Sequence, residues 1–362
     1  MQGKIKFALV GCGRIADNHA FYIKQIKEAE LVAVCDLKPE RAKELSEKYN
    51  VPYYLNYNKM LKDNDVDVVN IITPSGMHPE HAVDIISKYK KHLVIEKPVF
   101  LNMKDGLRIK TAALNNKIKI FPVLQNRYNK AVKKVKKGLD SGEFGKLVFG
   151  AVRLLWSRGQ SYYDRDPWRG TWALDGGVLT NQAIHHLDLL RWFFGDVEWV
   201  EAIGATQLVN IEVEDTAIVN IKFKNGALGS IIASTAIRPD DLEASISVFG
   251  EKGRASINGT AVNKLTEWTL NNEDIKEYQV DIPNVYGFGH LNFFEDVVRD
   301  LSIGVSHPIS FEDAAQTIEL LNAVYCSIEQ KRSVCLKDKY FSKRLGRKDK
   351  KLMDIYITKD GD

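Results

Sequence analysis

A glycine-rich loop directly after the first apolar segment constrains the fold of this chain more than any other feature of its sequence. The segment KFALV, residues 6–10, is typical of a buried parallel strand, and it runs into GCGRIA at residues 11–16. In this GxGxxA pattern the first glycine permits a tight turn, the second admits a pyrophosphate, and the alanine lets a helix pack closely on the strand. The pattern predicts a dinucleotide site on the helix N-terminus. Its expected cofactor-binding residues are Gly11, Gly13, Arg14 and Ile15.

The residue that follows the second predicted strand indicates which dinucleotide binds. Asp36 comes directly after the apolar run Leu31 to Cys35. A carboxylate at this place can accept hydrogen bonds from both ribose hydroxyls, and it repels a 2′-phosphate. The sequence therefore favours NAD over NADP. The alternative interpretation is a glycine turn beside a solvated aspartate.

The first third of the chain alternates strand-like and helical segments. Val66 to Ile72, Leu93 to Ile95 and Lys119 to Leu124 are short apolar runs, and helical patterns begin at Pro39 and Pro79 between the strands. Such alternation predicts a doubly wound parallel sheet. We therefore predict an α/β fold with an NAD-binding Rossmann domain over residues 1–124.

The pattern changes after residue 125. Long alternating strands such as Ala217 to Phe223 dominate, and one helix is predicted from Val178 to Phe194. This arrangement predicts an α+β domain over residues 125–337, with an open, largely antiparallel sheet and helices on one face. We expect residues 338–362 to be a basic, poorly packed tail.

Charge and composition exclude several classes of partner. The net charge of +4 is small for 362 residues and does not indicate nucleic acid. No apolar run approaches the roughly 18 residues that span a bilayer, and the N-terminus lacks the layout of a signal peptide. The four cysteines form no CxxC pair and no Cys/His spacing, so we predict no metal. We expect a cytoplasmic protein with reduced thiols and no membrane partner.

Lys97 is the first catalytic candidate. It belongs to the triplet Glu96-Lys97-Pro98 at the end of the fourth predicted strand, where α/β sheets bind ligands. Pro98 biases Lys97 towards an extended backbone. Desolvation beside a cationic nicotinamide would lower the pKa of the lysine, which would let it accept a proton from an alcohol. A surface lysine at a strand end is the alternative.

His185 is the second catalytic candidate. On the predicted helix, Asn181, His185, Asp188 and Trp192 share one stripe, which is an unusual combination for a core face. Histidine can transfer protons near neutral pH, and Asn181 could bind a sugar hydroxyl. A structural histidine is the alternative.

Two polar stretches contain further binding candidates. QNRY at residues 125–128 and the aromatic, arginine-rich loop at residues 156–172 can supply bidentate guanidinium contacts and stacking rings. A packed surface loop is the alternative. The expected substrate-binding residues are Arg127, Arg158, Tyr163, Asn181 and His185.

Taken together, these motifs resemble one known family. GCGRIA, Asp36, Thr73-Pro74-Ser75 with His78, the triplet at residues 96–98 and the helix with His185 are similar to the glucose-fructose oxidoreductase/inositol dehydrogenase (Gfo/Idh/MocA) family over residues 4–336. The resemblance implies a Rossmann domain followed by an α/β domain, Lys97 and His185 as the catalytic pair, and a homodimer or homotetramer. It also implies that the cofactor site includes Thr73, Ser75, His78, Glu96, Lys97, Gln125, Trp168 and Arg169.

The resemblance also bears on the substrate. Polyol dehydrogenases of the family have aspartate four residues before the histidine, where this chain has Asn181. GVLTNQAIHHLDLL, WRGTW, QNRY and residues 210–216 and 286–290 are most similar to the UDP-N-acetylglucosaminuronate 3-dehydrogenases. That similarity implies oxidation of a C3 hydroxyl to a 3-keto nucleotide sugar for surface-polysaccharide biosynthesis.

Several alternatives stay open at this point. The substrate could be UDP-N-acetylglucosamine or an inositol-type polyol. Relatives with the same fold include NAD-dependent glycoside hydrolases, which pass through a transient 3-keto sugar, and a non-catalytic repressor. The presence of both Lys97 and His185 argues against a sensor without catalytic activity.

Overall fold

The computed structural model describes residues 3–282 and 286–357, and the chain divides into two compact units. The first unit comprises Met1–Leu124, His290–Ala315 and Lys348–Asp362, and the second comprises Gln125–Gly289 and Gln316–Arg347. The sequence analysis assigned residues 290–315 to the second domain and residues 348–362 to a tail, whereas the structure groups both with the first unit. The first unit is therefore built from three separate stretches of chain.

A six-stranded parallel sheet forms the centre of the first unit. Its strand order is β3-β2-β1-β4-β5-β6, which confirms the predicted Rossmann arrangement. The strands are β1 (Ile5–Val10), β2 (Ala29–Cys35), β3 (Tyr53–Tyr54), β4 (Val68–Ile71), β5 (His92–Ile95) and β6 (Ile120–Pro122). The helices between them are α1 (Ala16–Gln25), α2 (Pro39–Tyr49), α3 (Tyr57–Asp63), α4 (His78–Tyr89) and α5 (Met103–Asn116).

The strand order reverses between β1 and β4, and the two chain segments meet closely there. Gly11 follows β1 with φ of 101°, and a β-carbon on it would lie 2.6 Å from the carbonyl oxygen of Ile72, which follows β4. Only glycine fits both the backbone angle and the space. This reversal opens the crevice in which doubly wound sheets bind ligands.

An eight-stranded mixed sheet forms the second unit, in the order β13-β12-β11-β7-β10-β9-β8-β14. β10 runs parallel to β7 and the other neighbours are antiparallel, which confirms the largely antiparallel prediction. The strands are β7 (Leu147–Leu155), β8 (Val197–Ala205), β9 (Thr216–Phe223), β10 (Leu228–Ser234), β11 (Glu243–Gly250), β12 (Gly253–Asn258), β13 (Lys264–Trp268) and β14 (Val334–Cys335). The helices from residue 125 onward are α6 (Lys130–Asp140), α7 (Gln160–Tyr163), α8 (Val178–Asn181), α9 (Ile184–Phe194), α10 (Gly289–Ile303), α11 (Phe311–Gln330) and α12 (Lys350–Met353). Of these, α10 from His290 onward and α12 belong to the first unit.

One face of this second sheet is buried under helices. A β-carbon on Gly150 of β7 would lie 2.6 Å from side-chain atoms of both Leu190 and Phe194, so α9 rests directly on the strand. Along β9, Ala217, Val219, Ile221 and Phe223 are buried, as the alternating pattern predicts. The intervening Ile218 is 50% exposed on the opposite face.

The helix predicted over residues 178–194 is interrupted. The structure has α8 and α9 instead, separated at Gln182 and Ala183. The amide of Ala183 donates to the carbonyl of Val178, five residues back, at 2.8 Å. This wider turn ends the regular four-residue ladder, so Asn181 and His185 lie on two different helices.

Part of the stretch at residues 338–357 is anchored to each of the two units. Leu345 is 2% exposed, and the guanidinium of Arg344 lies 4.3 Å from the ring centre of Trp172 within the second unit. In the first unit Lys348 pairs with Glu80 at 2.7 Å. Leu345 and Met353 are therefore anchored, while most other residues of 338–357 are exposed. Among residues 3–282 and 286–357, no helix is long and apolar enough to cross a membrane.

Gly11→Ala should destabilise the protein by about 2 kcal/mol or more, because the substitution combines a positive φ with a steric overlap. Urea unfolding would measure the loss. Gly13→Ala is the matched control, since a β-carbon there meets nothing within 4 Å. Its free energy of unfolding should stay within about 0.5 kcal/mol of the wild type. Equal stability of the two variants would contradict this account of the turn.

Candidate active site

The loop between β1 and α1 has the shape expected of a phosphate cradle. The space beside Gly13 is open, because a β-carbon at that position would meet no atom within 4 Å, and α1 begins three residues later at Ala16. The amides of that first turn therefore surround a space that a pyrophosphate fits. Arg14 and Ile15 complete the loop, with Arg14 exposed.

Asp36 lies beside this loop at the end of β2. Its Oδ2 accepts the amide of Cys12 at 2.7 Å, and its Oδ1 accepts the amide of Lys38 at 2.8 Å. These bonds fix the carboxylate next to the glycine turn, where it can take the ribose hydroxyls of a dinucleotide. The residues present thus fit NAD.

His78 joins the loop after β4 to the loop after β5. The side chain is buried, with Nδ1 2.8 Å from the carbonyl oxygen of Pro98 and Nε2 2.9 Å from that of Thr73. Burial lowers the pKa of His78, although the two carbonyls oppose this effect. Ser75 is buried in the turn between Thr73 and His78. His78 therefore links the loop after β4 to the loop after β5, at the edge of the sheet where the cofactor is predicted to bind.

Glu96 and Lys97 follow β5 at the same edge of the first unit. Lys97 is half-buried, and its peptide bond to Pro98 is cis. The Glu96 carboxylate accepts His19 Nε2 at 2.9 Å on one oxygen and the Lys97 amide at 3.0 Å on the other. Burial alone would raise the pKa of Glu96, but the hydrogen bond from His19 and the nearby imidazole of His290 hold that pKa well below its usual range. Glu96 is therefore an ionised, internally bonded carboxylate.

His185 belongs to the second unit, near the start of α9. It is 8% exposed, and its Nε2 lies 3.3 Å from Nε2 of the buried Gln125. Asn181, at the end of α8, donates its amide to Oδ1 of Asp175. The other oxygen of Asp175 accepts the amide of Gly170 at 2.8 Å, so this buried carboxylate orients the Asn181 side chain.

Arg127 has a different partner from the one predicted. Its guanidinium donates to both oxygens of Asp188, at 2.8 and 2.6 Å, and lies 4.8 Å from the ring centre of Trp192. Both charged residues are buried, so each needs the other as counter-charge. The ion pair fixes the guanidinium of Arg127 inside the second unit, and its predicted substrate contact stays a prediction.

The aromatic loop at residues 156–172 holds two of its three arginines, Arg158 and Arg169, against rings. Arg158 pairs with Asp241 at 2.8 Å and stacks on Trp156 at 4.9 Å. Arg169 lies between Tyr162 and Trp168, at 4.6 and 4.5 Å from the ring centres.

The same loop borders a cavity in the second unit. The hydroxyl of the buried Tyr163 is 3.0 Å from Oγ1 of Thr235. The cavity has a volume of about 330 Å³ and is lined by Gln160, Tyr163, Asp164, Asp166, Pro167, Arg169, Gly170, Thr171, Asn210, Ile211 and Glu212.

Sequence reasoning missed a buried glutamate beneath α8. Glu214 Oε1 accepts the Leu179 amide at 3.1 Å and the Tyr325 hydroxyl at 2.8 Å. A β-carbon on Gly177 would lie 2.2 Å from the Glu214 carboxyl carbon, so this glycine makes room for the side chain. Burial raises the pKa of Glu214 to about 7. The one available signal was a pair of acidic residues, Glu214 and Asp215, directly before the alternating strand β9.

Sequence reasoning also missed three buried polar residues around Glu96: His19 on α1, Asn70 on β4 and His290 on α10. Asn70 offered a signal, because an amide inside the apolar run VVNI needs an internal partner. One ring nitrogen of His19, one ring nitrogen of His290 and one carboxylate oxygen of Glu96 all lie within 4.8 Å of one another.

Comparison with protein families gives two matches along the chain. Residues 5–122 match the model of an oxidoreductase family with an NAD-binding Rossmann fold, GFO_IDH_MocA. Residues 132–256 match the GFO/IDH/MocA C-terminal domain. Among curated proteins, the chain is 28% identical over 341 residues to a myo-inositol 2-dehydrogenase of Thermotoga maritima, covering 92% of this chain and 99% of the relative.

Two solved structures are more similar in sequence. The WlbA dehydrogenase of Bordetella pertussis, in complex with NADH and UDP-GlcNAcA, is 36% identical with a TM-score of 0.88, covering 92% of this chain and 98% of that one. The WlbA dehydrogenase of Chromobacterium violaceum, with the same two ligands, is 37% identical with a TM-score of 0.86, covering 92% and 96%.

The buried Glu214 should make stability depend on pH. Its pKa of about 7 in the folded protein exceeds its ordinary value of 4.5, so the folded state holds the proton more tightly than the unfolded state. This contribution is fully present below about pH 4.5 and is lost as the pH rises through about 7, by roughly 1.4 kcal/mol per unit of pKa difference. Glu214→Gln should remove the dependence.

Urea unfolding of both proteins between pH 5 and 8.5 would measure this difference, because other titrating groups cancel between them. The free energy of unfolding of the wild type should fall relative to Glu214→Gln as the pH rises. Parallel curves would show that Glu214 titrates normally.

Proposed function

This chain belongs to the Gfo/Idh/MocA family of oxidoreductases, and on that premise we propose that it oxidises the C3 hydroxyl of UDP-N-acetylglucosaminuronic acid to a 3-keto nucleotide sugar. NAD-dependent dehydrogenation is the general activity of the chain. One observation carries the choice of substrate. Over 92% of the chain, identity to two dehydrogenases crystallised with UDP-GlcNAcA is 36–37%, against 28% to the inositol dehydrogenase.

The first unit contains the residues that would hold NAD. The pyrophosphate would rest on the amides around Gly13, and the adenine ribose would bind Asp36. The loops held by His78, which include Thr73 and Ser75, would border the nicotinamide. When bound, NAD supplies the hydride acceptor of the reaction.

Lys97 and His185 are the proposed proton-handling residues. An alcohol that loses hydride must also lose its hydroxyl proton, so a base has to stand at that oxygen. One of these two side chains takes the proton and the other orients the hydroxyl. The Glu96 carboxylate holds the Lys97 backbone, and Gln125 lies beside the His185 ring, so each group is supported within its own unit.

The second unit contains the residues that would bind the sugar. Asn181, oriented by Asp175, would take a sugar hydroxyl, and Arg158 would offer its guanidinium to an anionic group. Tyr163 of the aromatic loop completes the proposed sugar surface, whereas Trp168 and Arg169 of the same loop, with Gln125, are proposed cofactor contacts. Arg127 is also a proposed substrate contact, and its ion pair with Asp188 would hold its guanidinium in place.

A substrate panel tests this proposal. NADH absorbance would follow turnover of UDP-N-acetylglucosaminuronic acid, UDP-N-acetylglucosamine and myo-inositol. We expect the uronate to have the highest kcat/KM. A higher value for either of the other two would contradict the uronate. Absence of turnover with all three would exclude these three substrates and contradict the proposed reaction.

Lys97→Ala should lower kcat by about 100-fold or more, because a positioned proton acceptor contributes about 10²–10⁴ to the rate. NADH binding, followed by fluorescence, should be retained. Lys104→Ala, at an exposed position on α5, is the matched control and should behave like the wild type. Retained activity in Lys97→Ala would remove the proposed role.

The exposed face of the second sheet supports a homodimer or homotetramer. Ile203, Ile218 and Ile232 are register partners on β8, β9 and β10, and they are 74%, 50% and 38% exposed. A row of large apolar side chains across three strands favours burial against another surface. A second copy of this chain is the occupant that we propose.

Ile218→Asp places a charge in the middle of this row and should shift the protein to monomers, because burying an unpaired carboxylate is costly. Light scattering after size exclusion would measure the mass. Ile303→Asp, at a position 68% exposed on α10, is the control and should leave the mass unchanged. A monomeric wild type would contradict the assembly.

The cytoplasm is part of the same proposal. NAD and nucleotide sugars are metabolites of that compartment, and all four cysteines of the chain are free thiols.

A further inference from the structure

A chain of buried polar groups leads from the centre of the first sheet to Lys97. It begins at Asn70 on β4, whose Nδ2 lies 3.0 Å from Nδ1 of His19. Nε2 of His19 lies 2.9 Å from Oε1 of Glu96, and Oε2 of Glu96 accepts the Lys97 amide at 3.0 Å. Asn70 and His19 are fully buried, and Glu96 is 7% exposed. Three hydrogen bonds therefore separate the middle of β4 from the Lys97 backbone.

The orientation of the Asn70 amide, with Nδ2 facing Nδ1 of His19, sets which nitrogen of His19 carries the proton. An amide NH₂ group can only donate, so Nδ1 of His19 must accept and Nε2 must hold hydrogen. His19 therefore donates to Glu96, and a bond from an N–H to a buried carboxylate is one of the stronger kinds. This arrangement fixes which atom donates in each of the three hydrogen bonds between Asn70 and the Lys97 amide.

His290 closes the remaining side of Glu96. It comes from the first turn of α10, is fully buried, and stacks on the ring of Tyr22 with an interplanar angle of 5°. Its Nε2 is 3.9 Å from Oε1 of Glu96. A buried carboxylate without compensation is costly, so the two imidazoles supply the electrostatic environment that keeps Glu96 ionised.

A metal ion is the rival explanation of these residues, because two imidazoles and a carboxylate are a common ligand set. A metal would need the lone pair of His19 Nε2. With the Asn70 NH₂ group facing Nδ1, Nε2 is protonated and has no lone pair for a metal, so this orientation of the amide favours the hydrogen-bonded arrangement. With the amide reversed, Nδ1 would donate and Nε2 could bind a metal, and zinc analysis of the wild type distinguishes the two.

We propose that Asn70, His19 and His290 are positioning residues that hold Glu96, and through it the backbone of Lys97, in the geometry needed for proton transfer. The functional part of this inference rests on the proposed role of Lys97. The structural part concerns one hydrogen bond of the Lys97 amide, which can be measured without any substrate.

Two substitutions test the series of hydrogen bonds from Asn70 to Lys97. His19→Leu removes the donor to Glu96. Glu96→Gln keeps the shape but puts an NH₂ group opposite one of two N–H donors, so one bond must break. Hydrogen–deuterium exchange, resolved to the Lys97 amide, should become about tenfold faster or more in each variant. kcat should fall about 10- to 100-fold, while the Kd for NADH stays within about twofold.

The double variant separates positioning from general destabilisation. If His19 acts through Glu96, the loss of kcat in His19→Leu/Glu96→Gln should be much smaller than the product of the single losses. His307→Leu is the matched control, because His307 is a histidine of the same unit that packs against Phe121 at 5.4 Å. It should lower stability but leave Lys97 exchange and kcat unchanged.

Three results would overturn the inference: unchanged Lys97 exchange in His19→Leu, multiplicative losses of kcat in the double variant, or stoichiometric zinc that is present in the wild type and absent from His19→Leu. A wild type that oxidises none of the sugars would contradict the proposed function instead. In that case the exchange rates alone would still decide whether His19 and Glu96 hold the Lys97 amide.

Discussion

The ion pair between Arg127 and Asp188 is the constraint on which the order of the second unit depends. Removing two charges from water costs several kcal/mol for each ion, and this cost is offset only by good geometry. Here two parallel bonds join the guanidinium to the carboxylate, and Thr317 of α11 donates to the same carboxylate at 2.7 Å. The pair therefore ties three elements together: the segment at residues 125–128, α9 and α11. Because α9 carries His185 and the segment carries Gln125, the orientation of a catalytic candidate depends on charges that take no part in the chemistry.

Local features of the sequence predicted much of the fold. Gly11 is informative because its backbone angle requires glycine, and Gly13 because its missing side chain leaves room for a ligand. Asp36 is informative because it directly follows a strand. All three properties can be recognised from neighbouring residues in the sequence. Alternation over residues 217–223 correctly placed one face of β9 in the core. Short apolar runs located five of the six strands of the first sheet, whereas β3 (Tyr53–Tyr54) is only two residues long and leaves no such run. These signals are strong because a strand of a parallel sheet is buried on both faces, so nearly all of its residues have to be apolar.

Long-range pairing accounts for what could not be predicted. Arg127 has the composition of a substrate anchor, and only the fold shows that its partner is 61 residues away. His19 and Glu96 are 77 residues apart, and His290 comes from a different part of the chain altogether. The break between α8 and α9 depends on one five-residue turn at Ala183, whereas every residue around it is compatible with a continuous helix. Sequence periodicity contains none of this information, because it reports exposure and not partners.

The discontinuous first unit has a consequence for how the protein is made. Phe294 of α10 packs edge-on against Phe7 of β1 at 5.9 Å, and His290 closes the environment of Glu96. A ribosome must therefore synthesise about four-fifths of the chain before α10 can pack on β1. Until then, part of the apolar surface of the N-terminal sheet stays uncovered. A fragment ending at residue 124 would expose Phe7 and leave a buried carboxylate without one of its imidazoles. Excising this unit as an independent nucleotide-binding module would require residues 290–315 to be grafted back onto it.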